Sequence, residues 1–80
     1  MKLIIQDSKF KQRQIEINDN ANVKDLYEAI KNKLGINKDM LLIYDGETLD
    51  LAQNEKLSYY DIVNNSLITY IGKFQAGTLN

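Results

Sequence analysis

The chain has 80 residues, enough for one domain with a single hydrophobic core. It contains neither cysteine nor histidine, which excludes disulfides, thiolate or imidazole metal sites, and nucleophiles activated by histidine. Ten basic and eleven acidic residues give a net charge of −1, which argues against nucleic-acid binding, because such proteins normally carry a basic surplus.

The lack of cysteine and histidine predicts a binding protein rather than an enzyme. Carboxylates remain available for acid–base chemistry, but no pair stands out from an ordinary solvated surface, so we expect no catalytic residue, metal or cofactor. The chain has no run of about 18 apolar residues, and its start lacks the apolar core of a signal peptide. We therefore expect a cytoplasmic or nuclear protein without membrane contact.

Two short strands are predicted at the start of the chain. Lys2–Gln6 is an apolar run that is typical of a buried strand. Asp7–Lys11 is polar apart from Phe10, as a hairpin loop should be, and Gln12–Asn18 then alternates apolar and polar side chains. The pattern predicts a β-hairpin with a half-buried second strand.

One substantial helix is predicted over Asn22–Gly35. Its apolar side chains recur at spacings of three and four and form one stripe: Val23, Leu26, Ile30 and Leu34. Asn22 can cap the first turn together with Asp25, and Gly35 stands where a left-handed residue ends many helices. A helix with one apolar face needs a sheet to cover it.

Three further strands and one helical turn are predicted after this helix. They are Met40–Tyr44, Glu47–Leu49, the turn Leu57–Ile62, and Ser66–Ile71. Between the first two strands, Asp45-Gly46 is a strong signal for a type I′ turn, which needs positive φ at both positions. We expect a mixed sheet with the last strand beside the first, because this covers the helix and keeps crossovers right-handed.

Five short motifs follow one another at nearly fixed spacing. They are the strand that starts at Met1, then Ile17–Val23, Lys33–Ile36, Leu42–Gly46 and Leu57–Ile62. Together they resemble the ubiquitin family over nearly the whole chain, with one residue fewer between Ile36 and Leu42 and two more before Leu57. The resemblance implies a β-grasp fold, an α+β domain with a mixed five-stranded sheet packed on one helix. It also implies that Tyr60 closes a loop.

We expect residues 1–72 to form the domain and 73–80 a C-terminal tail. Partners of the ubiquitin family bind an exposed apolar patch centred on an isoleucine that matches Ile43. Strand alternation agrees, because Leu41 and Ile43 point away from the helix if Leu42 points towards it. Aligning the last strand without a gap adds Thr69 and Ile71 to this patch. Ser8 takes the place of a loop leucine of the family.

Two alternatives to this patch remain open. A one-residue slip of the last strand would expose Ile68 and Tyr70 in place of Thr69 and Ile71. The face could also be covered by the chain's own tail, or hold only scattered surface apolar residues.

The tail raises two further possibilities. Ile36 with Phe74 is a second, weaker candidate for a contact patch, although simple packing of the tail on the domain explains the pair at least as well. Conjugated members of the family end in Gly-Gly, and the alignment places Ala76-Gly77 there, followed by Thr78–Asn80. Gly77 is therefore a possible conjugation terminus, the alternative being a plain flexible tail or the edge of a domain cut from a longer protein.

We expect a non-enzymatic ubiquitin-like protein that contacts other proteins non-covalently through the apolar sheet face, as an adaptor or a subunit of a larger complex. The alternative is a divergent modifier, processed to end at Gly77 and conjugated to target proteins. Expected partners are proteins of the ubiquitin pathway or subunits of a complex. The isolated domain is expected to be monomeric.

Overall fold

The computed structural model describes residues 1–35 and 39–72. The predicted second patch, Ile36 with Phe74, lies outside the described residues, as do Gly77 and the rest of the predicted tail. Within the described ranges, no helix is long and apolar enough to cross a membrane.

The described chain forms five strands, one α-helix and one 3-10 helix. In chain order they are β1 (Lys2–Gln6), β2 (Gln12–Glu16), α1 (Val23–Leu34), β3 (Met40–Tyr44), β4 (Glu47–Thr48), the 3-10 helix (Leu57–Tyr60) and β5 (Leu67–Gly72). Every predicted element is present. The prediction for β2 was too long by two residues, because its partner β1 begins at Lys2 and the last paired position is Glu16.

Both ends of α1 are fixed by the residues that predict them. The Asn22 side chain accepts a hydrogen bond from the Asp25 backbone N–H at 2.9 Å, and the Asp25 carboxylate accepts one from the Asn22 N–H at 3.2 Å. At the other end, Gly35 has φ +67° and its N–H donates to the Lys31 carbonyl. These contacts satisfy backbone groups that the helix itself leaves free.

The strands form one mixed sheet in the order β2–β1–β5–β3–β4. β1 and β5 are parallel neighbours, with Ile5 opposite Ile68, and the other neighbouring pairs are antiparallel. The last strand therefore lies beside the first, as predicted. With α1 packed on one face of the sheet, the arrangement is the β-grasp fold.

The core lies between α1 and the inner face of the sheet. Its fully buried side chains come from both layers and from the loops that flank them: Leu3, Ile5, Val23, Leu26, Ile30, Leu42, Leu49, Leu57 and Ile68. Leu34 is only half-buried. Tyr27, which the predicted stripe omits, is 7% exposed, because it follows Val23 by four residues and so shares its helix face.

Two turns have the geometry that the sequence predicts. Asp45 and Gly46 have φ +52° and +80°, as a type I′ turn requires. The Tyr60 hydroxyl accepts a hydrogen bond from the Asp50 backbone N–H at 3.3 Å. The tyrosine thus closes the loop between β4 and the 3-10 helix, as the resemblance implies.

Candidate protein-binding face

The sheet has a second face, which points away from α1. In β3, Met40 and Leu42 are buried in the core, so Leu41 and Ile43 lie on this opposite face. In β5, Ile68 is completely buried, so Leu67, Thr69 and Ile71 lie on the opposite face as well. The last strand therefore has the predicted register, and the slipped alternative is wrong.

The structure brings the four predicted patch residues together. Leu41 is directly opposite Ile71 in the β3–β5 pair, and Ile43 is directly opposite Thr69. Side chains at such positions lie within contact distance, because their Cβ atoms are about 4.5–5.5 Å apart. Ile71 is 38% exposed, and the other three are half-buried.

Two further apolar residues extend the predicted patch. Ile4 in β1 is opposite Leu67 in β5, and both lie on the same face as Ile43. Leu67 is 41% exposed and Ile4 is half-buried. Alternation with buried Leu3 and Ile5 could have placed Ile4 on this face, but its neighbour across the strand depends on the sheet order. We define the outer apolar face as Ile4, Leu41, Ile43, Leu67, Thr69 and Ile71.

Amides rather than charges border the outer apolar face on its β2 side. Gln14 is opposite Ile4, and the Gln12 side-chain N–H donates to the Gln6 side-chain oxygen at 2.9 Å. The charged pair Lys2 and Glu16 stands at one corner. A partner for such a surface needs apolar side chains and hydrogen-bonding groups rather than an opposite charge.

A groove of about 550 Å³ also lies between β2 and α1. Its lining combines polar and apolar surface: Lys2, Gln14, Ile15, Glu16, Ala29, Asn32 and Lys33. Sequence reasoning missed it, because no single segment contains its two walls. Within the described ranges, no group of three or more histidine, cysteine or acidic residues is placed to hold a metal ion.

Two groups that do not belong to the outer apolar face have shifted pKa values. The Met1 amine donates to the Ile17 carbonyl at 2.6 Å and lies 3.0 Å from the Asp19 carboxylate. The hydrogen bond with Asp19 is the main cause that raises the pKa of this amine. Burial raises the pKa of the Tyr27 hydroxyl.

A family model described as Rad60-SLD, "Ubiquitin-2 like Rad60 SUMO-like", matches residues 1–70. The matched range contains every residue of the outer apolar face except Ile71. A comparison with curated protein sequences gives no significant match.

Proposed function

This chain belongs to the family of ubiquitin-like, Rad60 SUMO-like domains, and from that premise we propose that it acts by non-covalent contact with another protein. The contact surface in this proposal is the outer apolar face. The chain then serves as an adaptor or as a subunit of a larger complex, and not as an enzyme. Family membership suggests that it does so in the nucleus or the cytoplasm.

The continuity of the apolar side chains supports the proposal. Leu67 and Ile71 are 41% and 38% exposed. Leu41 lies directly opposite Ile71 on one neighbouring strand, and Ile4 lies directly opposite Leu67 on the other. Isolated apolar side chains are normal on a monomer, whereas a contiguous patch with a polar rim is typical of a protein-contact site. The patch does not serve the core, because α1 packs on the other face.

Truncation of Ile43 separates binding from folding. We expect Ile43→Ala to change the free energy of unfolding by less than about 1 kcal/mol, because the side chain is only half-buried. The same change should weaken partner binding by roughly 2 kcal/mol, about thirtyfold in Kd, if Ile43 is an interface anchor. The partner is recovered from native extract on the immobilised domain and purified, and Kd is then measured by titration calorimetry.

Glu28→Ala is the matched control, because Glu28 is exposed on α1, across the domain from the outer apolar face. It should leave both stability and Kd unchanged. A large loss of stability in Ile43→Ala, with an unchanged Kd for the folded fraction, would assign Ile43 to the core and end the proposal.

The second candidate function is that of a conjugated modifier, favoured by the position of Gly77 in the alignment with the ubiquitin family. The intact mass of the native protein distinguishes the two. A chain that ends at Asn80 supports the non-covalent function. A chain that ends at Gly77, or a larger covalent conjugate, identifies a modifier.

A further inference from the structure

The β1–β2 loop carries an aromatic side chain that folding does not explain. Phe10 is 78% exposed, and its φ is +64°. Its N–H donates to the Asp7 carbonyl at 3.0 Å, and the Asp7 N–H donates to the Lys11 carbonyl at 3.0 Å. This is a tight turn followed by a left-handed residue, a position where glycine is usual because a side chain there is strained. Phenylalanine is therefore unfavourable here both for the backbone and for its exposed ring.

Two lysines flank this exposed ring. Lys9 and Lys11 are exposed, and among the described residues neither forms an ion pair. The nearby Asp7 carboxylate is already engaged, because it accepts the backbone N–H groups of Lys9 and Lys11 at 2.8 and 2.9 Å. We define the tip as Lys9, Phe10 and Lys11. A surface that fits the tip combines aromatic walls with carboxylates.

Another part of the same chain has this composition. A groove of about 300 Å³ is lined by three tyrosines and three acidic residues: Tyr44, Asp45, Glu47, Tyr59, Tyr60 and Asp61. Tyr59 is 66% exposed, and its ring meets that of Tyr60 edge-on at a centroid distance of 5.1 Å. We call this the tyrosine groove. Its carboxylates attract cations, and its exposed ring can pack against a second ring or a cation.

The tip and the tyrosine groove extend from the sheet in opposite directions, on either side of β5. The tip follows the end of β1, and the groove is built around the end of β3. β1 is parallel to β5, whereas β3 is antiparallel to β5, so β1 and β3 run in opposite directions. A tip therefore extends away from the groove of its own copy, with β5 between them, so contact between them requires two copies.

We propose that the tip of one copy inserts into the tyrosine groove of a second copy. The two contacting surfaces differ, so the contact is head-to-tail and can continue from copy to copy. Each surface offers few side chains, so the association is weak and the dilute chain is monomeric. The outer apolar face takes no part, so this contact is independent of the function proposed above.

Sedimentation equilibrium of the purified chain tests the proposal. Over roughly 10 μM to 1 mM, the average mass should rise above that of the monomer. Raising the ionic strength from about 0.05 to 0.5 M should return it towards the monomer mass, because salt screens the attraction between the lysines and the carboxylates. A chain that stays monomeric at every concentration and at low salt would overturn the proposal.

Variants at the two ends locate the contact. Phe10→Ala should weaken association about tenfold. Lys9→Glu with Lys11→Glu at the tip should abolish it, as should Asp45→Asn with Glu47→Lys at the tyrosine groove. The tip variant and the groove variant, mixed in equal amounts, should associate more strongly than either alone, because the unaltered tip of the groove variant can bind the unaltered groove of the tip variant. This recovery would also show that both variants fold.

Ile43→Ala is the control, because Ile43 lies on the outer apolar face, and it should leave self-association unchanged. If Ile43→Ala abolishes association while the tip variant does not, the outer apolar faces meet and the proposal is wrong. Backbone amide shifts in a dilution series provide a second measurement. They should change at the tip and the tyrosine groove, and changes confined to the outer apolar face would contradict the proposal.

Discussion

The positive φ of Phe10 lowers the stability of the fold below that of a chain with glycine at this position. A left-handed backbone conformation strains residues that have a Cβ atom, and glycine has none. Phe10→Gly should therefore raise the free energy of unfolding by about 1 kcal/mol. Lys11→Gly is the matched control, because the neighbouring Lys11 does not have positive φ. It should lower stability by about 0.5–1 kcal/mol. Urea denaturation measures the free energy of unfolding of both variants. If the two substitutions change it in the same direction, the backbone of Phe10 is not strained.

Two residues should make the fold sensitive to alkaline pH. The pKa of the Met1 amine is raised from 8.0, chiefly by Asp19, and the pKa of Tyr27 is raised from 10.0, chiefly by burial. In each case the folded-state pKa exceeds the unfolded one. The stabilisation is therefore complete below the unfolded pKa and is lost as the pH rises through the folded pKa. We expect the free energy of unfolding to fall in two stages, above pH 8.0 and then above pH 10.0.

Two substitutions test which residue causes each stage of the loss of stability. Asp19→Asn should reduce the first stage, because it removes the main cause of the raised pKa of the amine, and Tyr27→Phe should remove the contribution of Tyr27 to the second. Urea denaturation at a series of pH values from neutral to alkaline provides the measurement. A first stage of unchanged size in Asp19→Asn would show that the amine is not responsible.

At the scale of elements, α1 and the sheet depend on each other through a few buried side chains. Ile30 is completely buried on α1, so Ile30→Ala should cost about 2–5 kcal/mol. That loss is a large part of the ~5–15 kcal/mol by which a domain is stable. Glu28→Ala on the exposed side of the same helix should cost less than about 0.5 kcal/mol. Equal losses in urea denaturation would mean that the apolar stripe does not face the sheet.

Local signals explain how well the elements could be predicted from the sequence. Asn22 and Gly35 act on backbone groups within a few residues, and so does the Asp45-Gly46 turn. The proximity of Ile4 and Leu67 could not be predicted in the same way, because it depends on the register between the first and last strands as well as on their being neighbours. The positive φ of Phe10 was missed for a related reason. The hairpin register on both sides of the loop imposes it, and the residue type does not favour it.

At the scale of the whole molecule, the parallel pairing of β1 with β5 assembles the outer apolar face from distant parts of the chain. Ile4 comes from the start, Ile43 from the middle and Leu67 from near the end of the described residues. No single segment carries the face, so protein contact through it requires the folded domain. A covalent modifier would instead depend on the residues at the end of the chain.

We therefore predict how the chain behaves with the ubiquitin-activating enzyme. A modifier ending at Gly77 has its terminal carboxylate adenylated and then passed to an enzyme thiol. In the alignment with the ubiquitin tail, Phe74 replaces a leucine and Gln75 an arginine. If the enzyme pairs that arginine with an acidic group, its loss leaves the group unpaired, at a cost of about 2–5 kcal/mol. Neither the full chain nor a version ending at Gly77 should form a thioester.

A non-reducing gel after incubation with the enzyme and ATP tests this prediction, with ubiquitin as the positive control. The version ending at Gly77 is the decisive sample, because it removes the need for a processing protease. We expect a strong adduct from ubiquitin and none from this version, because the enzyme does not accept its tail. A thiol-sensitive adduct would contradict the prediction. The conjugated modifier would then become the better-supported function, and the outer apolar face would be the surface that its receptors bind.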